Sequence, residues 1–281
     1  MKKGRLLLAP AMIWLVALLI IPLLIVAAIS FMQRDSLGNI VPVFSLDNYI
    51  RFFEPIYLRI FAESVGISLL TTALCLVIGY PVAYYITQAP PSRQKLYLLL
   101  VMIPLWINFM VRAYAWILLL RAQGVVNTGL EWLGLIDQPL PLLYTSGTVL
   151  LGLVYTQLPF MILPIYVSLE QLDRRLLEAA SDLGASPVRV FWHITLPQTK
   201  PGVTAGCILV FVYSLGLFIV SDILGGAKTA MFSNVIQNQF LSARNWPFGA
   251  ALSMVLILFC LVFILWYNRV SSGQPKGKGL V

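Results

Sequence analysis

The chain has 281 residues, of which 59% are hydrophobic and 11% are charged, and its formal net charge is +8. Soluble domains carry about a quarter charged residues, so this composition excludes a soluble enzyme and predicts a membrane protein. The positive charge indicates orientation and contact with anionic lipids. It does not indicate nucleic-acid binding, because no clustered basic surface on a soluble domain is predicted.

Six apolar stretches follow one another along the chain, and each is long enough to cross a hydrocarbon core of about 30 Å as a helix. Continuous apolar runs favour helices over the short alternating strands of a membrane barrel. We therefore predict an all-α, polytopic membrane protein with a single transmembrane domain over residues 1–281. Its six spans are predicted at residues 6–32, 62–87, 96–120, 146–169, 201–222 and 248–269.

The first stretch follows Lys2, Lys3 and Arg5, as the apolar part of a signal peptide would. Its apolar part runs from Leu6 to Ile29. That is much longer than the roughly 7–15 apolar residues of a cleavable signal. A retained membrane anchor is therefore expected.

The positions of lysine and arginine predict the orientation. Twelve lie in the N-terminus, the second loop, the fourth loop and the C-terminus, and six lie in the alternate loops. By the positive-inside rule, both termini and the fourth loop are cytoplasmic. The twelve are Lys2, Lys3, Arg5, Arg93, Lys95, Arg174, Arg175, Arg189, Lys200, Arg269, Lys276 and Lys278, and the six are Arg34, Arg51, Arg59, Arg121, Lys228 and Arg244.

The fourth loop, at about residues 170–200, carries a polar motif between two strongly apolar stretches. It reads EAASDLG at 178–184 and continues with ITLP at 194–197. Leucines and alanines share one helical face and charged residues the other, which is typical of an amphipathic interfacial helix. Gly184 suits a helix C-terminus, and Ser186 with Pro187 suits the start of a second helix that Pro197 helps to end. Two short helices that can dock in a groove of a partner protein are predicted.

Residues that could carry catalysis are missing from the sequence. The segment at 225–229, GGAKT, lacks the adjacent glycine and lysine of a GxxxxGK[ST] phosphate loop. The single histidine, His193, has no cysteine or carboxylate at ligand spacing, which favours a structural polar role over a metal site. The chain is therefore predicted to be non-catalytic, with no cofactor of its own and with nucleotide chemistry supplied by another subunit.

Ionisable residues within the spans are functional candidates, because their burial in a membrane is costly. Asp222 ends the fifth apolar run and precedes a flexible glycine pair. Arg112 lies in the third span, where pairing with a carboxylate and snorkelling to the outer interface are both open. Small residues at 79 and 83, and at 202 and 206, predict close helix packing. The three cysteines, Cys75, Cys207 and Cys260, are predicted to be packing residues.

The motif at 178–197 resembles the EAA loop of membrane subunits in bacterial ATP-binding-cassette (ABC) importers. Longer phrases at residues 46–49, 177–186, 216–228 and 246–251 resemble the PotB-type permease subunits of bacterial spermidine/putrescine importers. The similarity covers nearly the whole chain. It implies the type I importer permease fold, a place in the bacterial inner membrane, and an ATPase-coupling role for Glu178, Ala179, Ala180, Asp182, Gly184, Ile194 and Pro197.

The same resemblance implies alternating access driven by a partner ATPase, which binds the ATP and magnesium. The implied partners are a related C-type permease in a heterodimer, two ATPase subunits, a periplasmic polyamine-binding protein and membrane lipids. A polyamine path needs carboxylates or aromatic faces, and Arg112 would have to be paired or turned away from it. The candidates for this path are Asp222, Trp106, Asn108, Tyr80, Tyr84, Tyr114 and Tyr213.

The coupling motif specifies the class of importer more closely than the cargo, so ferric ion, thiamine, opines and other small solutes are alternatives. A secondary carrier would need coupling-ion sites, usually paired intramembrane carboxylates or unwound segments in two repeats. Neither is visible in the sequence. A membrane scaffold that transports nothing is a third alternative. It does not explain why the chain carries a motif that couples to an ATPase.

Overall fold

The structure, a computed structural model, describes residues 2–35, 38–226 and 229–271. It is mostly helical, which confirms the predicted class, and the first loop adds a short antiparallel pair of strands, β1 (Gln33–Arg34) and β2 (Ile40–Val41). The helices are α1 (Lys2–Ser30), α2 (Asp47–Phe52), α3 (Pro55–Gln88), α4 (Pro91–Trp106), α5 (Phe109–Leu120), α6 (Val125–Trp132), α7 (Ser146–Glu170), α8 (Arg174–Asp182), α9 (Pro187–Val190), α10 (Leu196–Gln198), α11 (Lys200–Gly216), α12 (Phe218–Gly225), α13 (Phe232–Leu241) and α14 (Trp246–Ser271).

Several helices are long and apolar enough to cross a membrane. Within the described residues there are four such stretches, and a fifth if the pair Pro187–Gln198 and Lys200–Gly216, bent by 64°, is one span. A shorter apolar segment, Trp14–Ser30, lies within α1. The count of six spans and the orientation therefore stay predictions, and Lys228, Lys276 and Lys278 lie outside the described residues. The four stretches are Pro55–Gln88, Phe109–Trp132, Ser146–Glu170 and Trp246–Arg269.

The third predicted span, at 96–120, is wrong as a single helix. Between α4 and α5, Ile107 and Asn108 take extended backbone conformations with ψ of 132° and 134°. The Asn108 side chain accepts a hydrogen bond from the backbone N–H of Met110 at 2.8 Å. It thus caps the start of α5, a position where asparagine is favoured. Apolar residues continue across the break, so hydropathy did not reveal it.

The fifth predicted span, at 201–222, is also interrupted. Leu217 has φ −85° and ψ 82°, which is not helical, and it separates α11 from α12. The second cytoplasmic helix begins at Pro187 and ends at Gln198, one residue after Pro197, which agrees with the predicted position of its end. The chain stays helical from Pro187 to Gln198, because a wide π turn at Phe191–Thr195 precedes α10 and Pro197 lies in the first turn of α10, where its missing N–H is tolerated.

The chain divides into two compact units. This division does not test whether residues 1–281 form a single transmembrane domain, which stays a prediction. Unit 1 contains Met1–Ile60 and Phe232–Leu261, and unit 2 contains Phe61–Met231 and Val262–Val281. Within unit 1, the Tyr57 and Phe248 rings meet edge to face at 5.0 Å, and the Arg51 guanidinium lies 4.5 Å from the Phe248 ring centre. Unit 1 is thus held together by aromatic packing.

In unit 2, α7 is the central helix and its two halves pack in different clusters. The first half packs through Val149 and Leu153 against Val220 and Leu224 of α12, and we call this the α7–α12 cluster. The second half forms the α3–α7–α11 cluster. Its buried members are Cys75, Tyr80, Ala83, Ile86, Met161, Ile162, Ile165, Tyr166, Leu169, Cys207 and Val210.

Glycines allow α11 to lie against α7, as the small-residue pattern predicted. A Cβ on Gly202 would lie 2.6 Å from the carbonyl oxygen of Pro164, and one on Gly206 would lie 2.8 Å from Sδ of Met161. Residue numbers rise along α11 as they fall along α7, so the two helices are antiparallel. On α3, a Cβ on Gly79 would lie 3.1 Å from Cγ of Met161, and the packing face of α3 is confirmed as well.

Candidate functional site

The coupling segment, residues 174–198, begins with a capped amphipathic helix. The Asp173 side chain accepts a hydrogen bond from the backbone N–H of Arg175 at 3.0 Å, which satisfies one of the free donors at the start of α8. Glu178 and Asp182, one turn apart, are both exposed on α8. Ala179 is exposed and Ala180 is half-buried. The helix therefore presents an acidic edge beside small apolar side chains.

A glycine turn ends α8. Gly184 has φ +81°, a left-handed conformation that side chains disfavour. Its N–H donates to the carbonyl of Ser181 at 2.9 Å, and the N–H of Ala185 donates to the carbonyl of Ala180 at 3.0 Å. These two bonds form a Schellman motif, which satisfies carbonyls that α8 would otherwise leave free. The sequence predicts glycine at this position because a helix C-terminus needs it, and the left-handed backbone of Gly184 agrees with that prediction.

The coupling segment also exposes large apolar side chains. Leu183 is 88% exposed, Val188 is 68% exposed and Trp192 is 59% exposed. Ile194 and Pro197 of the motif are half-buried on the other side of the same segment. Exposed apolar residues grouped beside charged ones mark a surface that contacts another molecule. The segment therefore has the chemistry of a docking element.

Contacts with α3 fix the coupling segment to the rest of unit 2. The Phe191 ring packs edge to face on Tyr80 at 5.6 Å and on Tyr84 at 6.1 Å. The Tyr80 hydroxyl is 2.9 Å from the hydroxyl of Thr199, which donates to the carbonyl of Thr195 at 2.9 Å. These contacts attach the coupling segment to α3. Sequence reasoning missed Phe191 and Thr199, because nothing in their local pattern shows that α3 meets them.

A cleft of about 480 Å³ lies beside α8, among the ends of α3, α4 and α7. The carboxylates of Glu170 and Glu178 and the rings of Tyr84 and Tyr166 border it, and the Tyr166 hydroxyl donates to Glu170 at 3.1 Å. Glu178 of α8 therefore forms part of the wall of this cleft. The other lining residues are Thr87, Gln88, Pro91, Gln94, Leu169, Leu172 and Leu177.

The predicted substrate-path residues are not brought together. Tyr80 and Tyr84 lie at the coupling segment, near the end of α7 that contains Tyr166. Asp222 lies on α12, which packs on α7 at Val149. At 1.5 Å per residue, these two ends of α7 are roughly 25 Å apart. The seven candidates therefore do not form a single site.

Most of the remaining candidates face outward. Asp222 is exposed, on the side of α12 opposite Val220 and Leu224. Trp106 and Tyr114 are largely exposed, and Asn108 is occupied as the cap of α5. Tyr213 is half exposed and stacks on Phe160 at 5.5 Å. Because unit 2 leaves these side chains uncovered, they are available to a partner, to lipid or to a cargo.

Arg112 is turned into unit 2 and lies over aromatic rings. Its guanidinium carbon is 5.6 Å from the ring centre of Phe109 and 6.0 Å from that of Tyr155. Its Nε and Nη1 atoms are buried and have no hydrogen-bond partner among the residues described. The cation is therefore held by ring faces, and the carboxylate pairing considered from the sequence does not occur within the described chain.

Comparison with known proteins identifies the family. The model of the family "Binding-protein-dependent transport system inner membrane component" matches residues 1–274. The chain is 44% identical over 258 residues to the spermidine/putrescine transport system permease protein PotB of Escherichia coli, covering 92% of this chain and 94% of that protein. It is 42% identical over 259 residues to PotB of Haemophilus influenzae, covering 92% and 91%.

Solved structures show the same fold. A bacterial ABC transporter that imports the acidic polysaccharide alginate contains a chain with a TM-score of 0.77, at 21% identity over 98% of both chains. The MetNI methionine ABC transporter gives a TM-score of 0.55 at 16% identity, covering 78% of this chain and 98% of that one. The predicted importer permease fold and multi-pass inner-membrane location are confirmed. The chain belongs to the binding-protein-dependent transport system inner membrane component family, as a non-catalytic permease subunit of an ABC importer.

Proposed function

We propose that this permease translocates polyamines, spermidine or putrescine, across the inner membrane. The observation that supports this most is the identity of 42–44% with PotB permeases along 92% of the chain. Such similarity extends far beyond the coupling motif, which importers of different solutes share. Polyamine import is therefore favoured over import of ferric ion, thiamine or opines.

In this proposal the coupling segment transmits ATP hydrolysis to the membrane. The chain pairs with a related C-type permease, two ATPase subunits bind the cytoplasmic side, and a periplasmic binding protein delivers the polyamine. ATP and magnesium are bound by the ATPase, which contacts the exposed Glu178, Asp182 and Leu183. Closure of the ATPase moves the coupling segment, and Phe191 and Thr199 pass that motion to α3.

The exposed candidates are the better choices for a polyamine path. Asp222 offers an exposed carboxylate, and Trp106, Tyr114 and Tyr213 offer ring faces. Each cation–π contact contributes about 0.5–2 kcal/mol. Tyr80 and Tyr84 instead act in attaching the coupling segment to α3.

The test is reconstitution of the complete complex in lipid vesicles with its binding protein. Polyamine-loaded binding protein is expected to stimulate ATP hydrolysis several-fold and to drive accumulation of radiolabelled spermidine or putrescine. Binding proteins loaded with ferric ion, thiamine or an opine serve as controls. Stimulation by one of these and not by polyamines would contradict the cargo, and uptake without any bound ATPase would contradict the importer mechanism.

A further inference from the structure

An uncovered face of α4 combines a cation, a tyrosine and leucines. Arg93, Leu96, Tyr97 and Leu100 follow one another at i, i+3, i+4 and i+7, so they lie on one side of the helix. Arg93 is exposed, Tyr97 is half-buried, and the two leucines are each 53% exposed. Unit 2 therefore leaves this side of α4 open, and it is charged in the first turn and apolar further along.

The end of α3 adds a matching face. Ile78, Val82 and Tyr85 are spaced at i, i+4 and i+7, and all three are exposed, Tyr85 by 65%. The ring centres of Tyr85 and Tyr97 are 5.8 Å apart. The Arg93 guanidinium is close enough to the Tyr85 hydroxyl to interact with it electrostatically. These contacts join the two faces, and we call Tyr85, Arg93 and Tyr97 the tyrosine–arginine cluster.

A short hairpin fixes the backbone that carries this cluster. Only residues 89–90 separate α3 from α4. The side-chain amide nitrogen of Gln94 donates to the carbonyl of Thr87 at 3.1 Å and to that of Ala89 at 2.9 Å. Tyr97 also packs against the α3–α7–α11 cluster. The ends of the two helices are thus held together by contacts of their own, and the cluster is present before any ligand binds.

The order of side chains along this surface matches the layers of a bilayer. Exposed apolar side chains are followed by the tyrosine pair and then by Arg93 at the end of the hairpin. Tyrosine is enriched at the membrane–water interface, and basic residues lie beyond it near the lipid phosphates. At 1.5 Å per residue, Arg93 is roughly 10 Å from Leu100 along α4. A headgroup layer is roughly 5–8 Å thick, so Arg93 reaches the phosphates when Leu100 lies in hydrocarbon.

The charge of Arg93 is left available for a ligand. Arg93 forms no ion pair with any residue that the structure describes. Its planar guanidinium matches the oxygens of a phosphate group, and the two phenol hydroxyls can donate further hydrogen bonds to the same oxygens. A zwitterionic headgroup carries its own cation beside the phosphate, and that cation competes with Arg93. The surface therefore favours a lipid whose headgroup has a net negative charge.

We propose that the tyrosine–arginine cluster binds the phosphate of an anionic phospholipid, whose acyl chains lie along the exposed leucines of α4. The site is at the same end of unit 2 as the coupling segment, because Tyr84, next to Tyr85, packs on Phe191 at 6.1 Å. The bound lipid stabilises the hairpin to which the coupling segment is attached. This inference depends on the membrane location of the chain and not on its cargo.

Lipid-dependent stability of the complete complex tests the site. The delipidated wild-type complex is titrated in detergent with phosphatidylglycerol, and its melting temperature should rise until the site is saturated. Arg93→Gln should increase the lipid concentration needed for half of that rise by about ten-fold, because a charge-assisted contact with the phosphate is lost. Tyr85→Phe keeps the ring and removes one hydroxyl, so it should increase that concentration by about three-fold.

Lys95→Gln is the matched control. Lys95 is an exposed cation only two residues from Arg93, but it lies on the side of α4 opposite Tyr97. Its replacement should leave the half-maximal concentration of phosphatidylglycerol unchanged. Equal effects of Lys95→Gln and Arg93→Gln would show a diffuse attraction between charges and would overturn the site. An unchanged lipid dependence in Arg93→Gln would overturn it as well.

Three further ligands identify the source of the phosphate. Inorganic phosphate and glycerol 3-phosphate carry the anion without acyl chains, and neither should raise the melting temperature. Phosphatidylcholine carries the chains with a zwitterionic headgroup, and it should give a smaller rise than phosphatidylglycerol at the same concentration. If a free phosphate stabilised the complex as phosphatidylglycerol does, the ligand would not be a lipid. If phosphatidylcholine stabilised it equally well, the headgroup charge would not be recognised, and either result contradicts the proposal.

Discussion

The backbone conformation of Gly184 links this residue to the coupling role. Its φ of +81° lies in the left-handed region, and nothing lies within 4 Å of where a Cβ would be. Space therefore does not require glycine here, and backbone conformation does. The Schellman bonds formed by Gly184 and Ala185 exist in that conformation, so the direction in which the chain leaves α8 depends on this residue.

Replacing Gly184 should weaken ATPase docking in an order set by backbone preference. Left-handed conformations cost residues with a Cβ about 1–2 kcal/mol, and asparagine tolerates them better. Gly184→Val should lower the ATPase retained on the purified permease pair, and uptake in cells, by about ten-fold. The control Gly184→Asn should retain most of both. If both variants lost ATPase binding and uptake equally, the presence of a side chain at residue 184, and not its backbone preference, would determine docking.

At the scale of elements, the contact between α7 and α11 organises unit 2. It depends on glycine at two positions one turn apart, because a Cβ on Gly202 would also meet Cβ of Ser168 at 2.5 Å. Backbone atoms of α7 form part of that contact, so a neighbouring side chain cannot simply rotate away.

Gly202→Val should destabilise the permease by forcing these helices apart. Overpacking a close contact costs about 1–3 kcal/mol, so the melting temperature of the purified protein should fall by several degrees. Gly66→Ala is the matched control, since a Cβ at Gly66 meets nothing within 4 Å. It should leave the melting temperature unchanged or slightly higher. A Gly202 variant as stable as the wild type would contradict the close packing of α11 on α7.

At the scale of the whole molecule, orientation in the membrane determines which surfaces meet the ATPase. The coupling segment can dock on a cytoplasmic ATPase if residues 170–200 are cytoplasmic. The exposed Leu183, Val188 and Trp192 would then meet a protein surface instead of lipid. The lysine and arginine distribution predicts this side for the segment.

Thiol labelling of intact cells tests the orientation. Ser186→Cys, exposed at the start of α9, should react with an impermeant reagent only after the inner membrane is opened. Gln138→Cys, exposed in the loop predicted to lie on the other side, should react in intact cells with a permeable outer membrane. Both variants carry alanine at the three native cysteines. Reaction of Ser186→Cys from outside would reverse the topology.

The amino-acid sequence alone specifies the helical membrane class and the start of the coupling segment. Composition and continuous apolar runs specify spanning helices, because unpaired backbone groups are too costly in lipid. The order of glycine, serine and proline at 184–187 specifies the turn and the new helix through local backbone preferences. The small residues of α11 also predict close helix packing, because a glycine has no side chain to hold the two helices apart.

Features that depend on residues distant in sequence become visible in the folded chain. The breaks at residues 107–108 and 217 lie within apolar runs, and hydropathy averages over such positions. The sequence predicts Tyr80 and Tyr84 as path candidates, but the Phe191 ring, more than a hundred positions further along the chain, packs on both of them. Gln157 on α7 is fully buried, and its side-chain amide has no hydrogen-bond partner among the described residues, a state that depends on which helices meet α7. Local sequence encodes conformation and polarity, whereas the contacts that assign a role to each side chain arise when distant helices pack together.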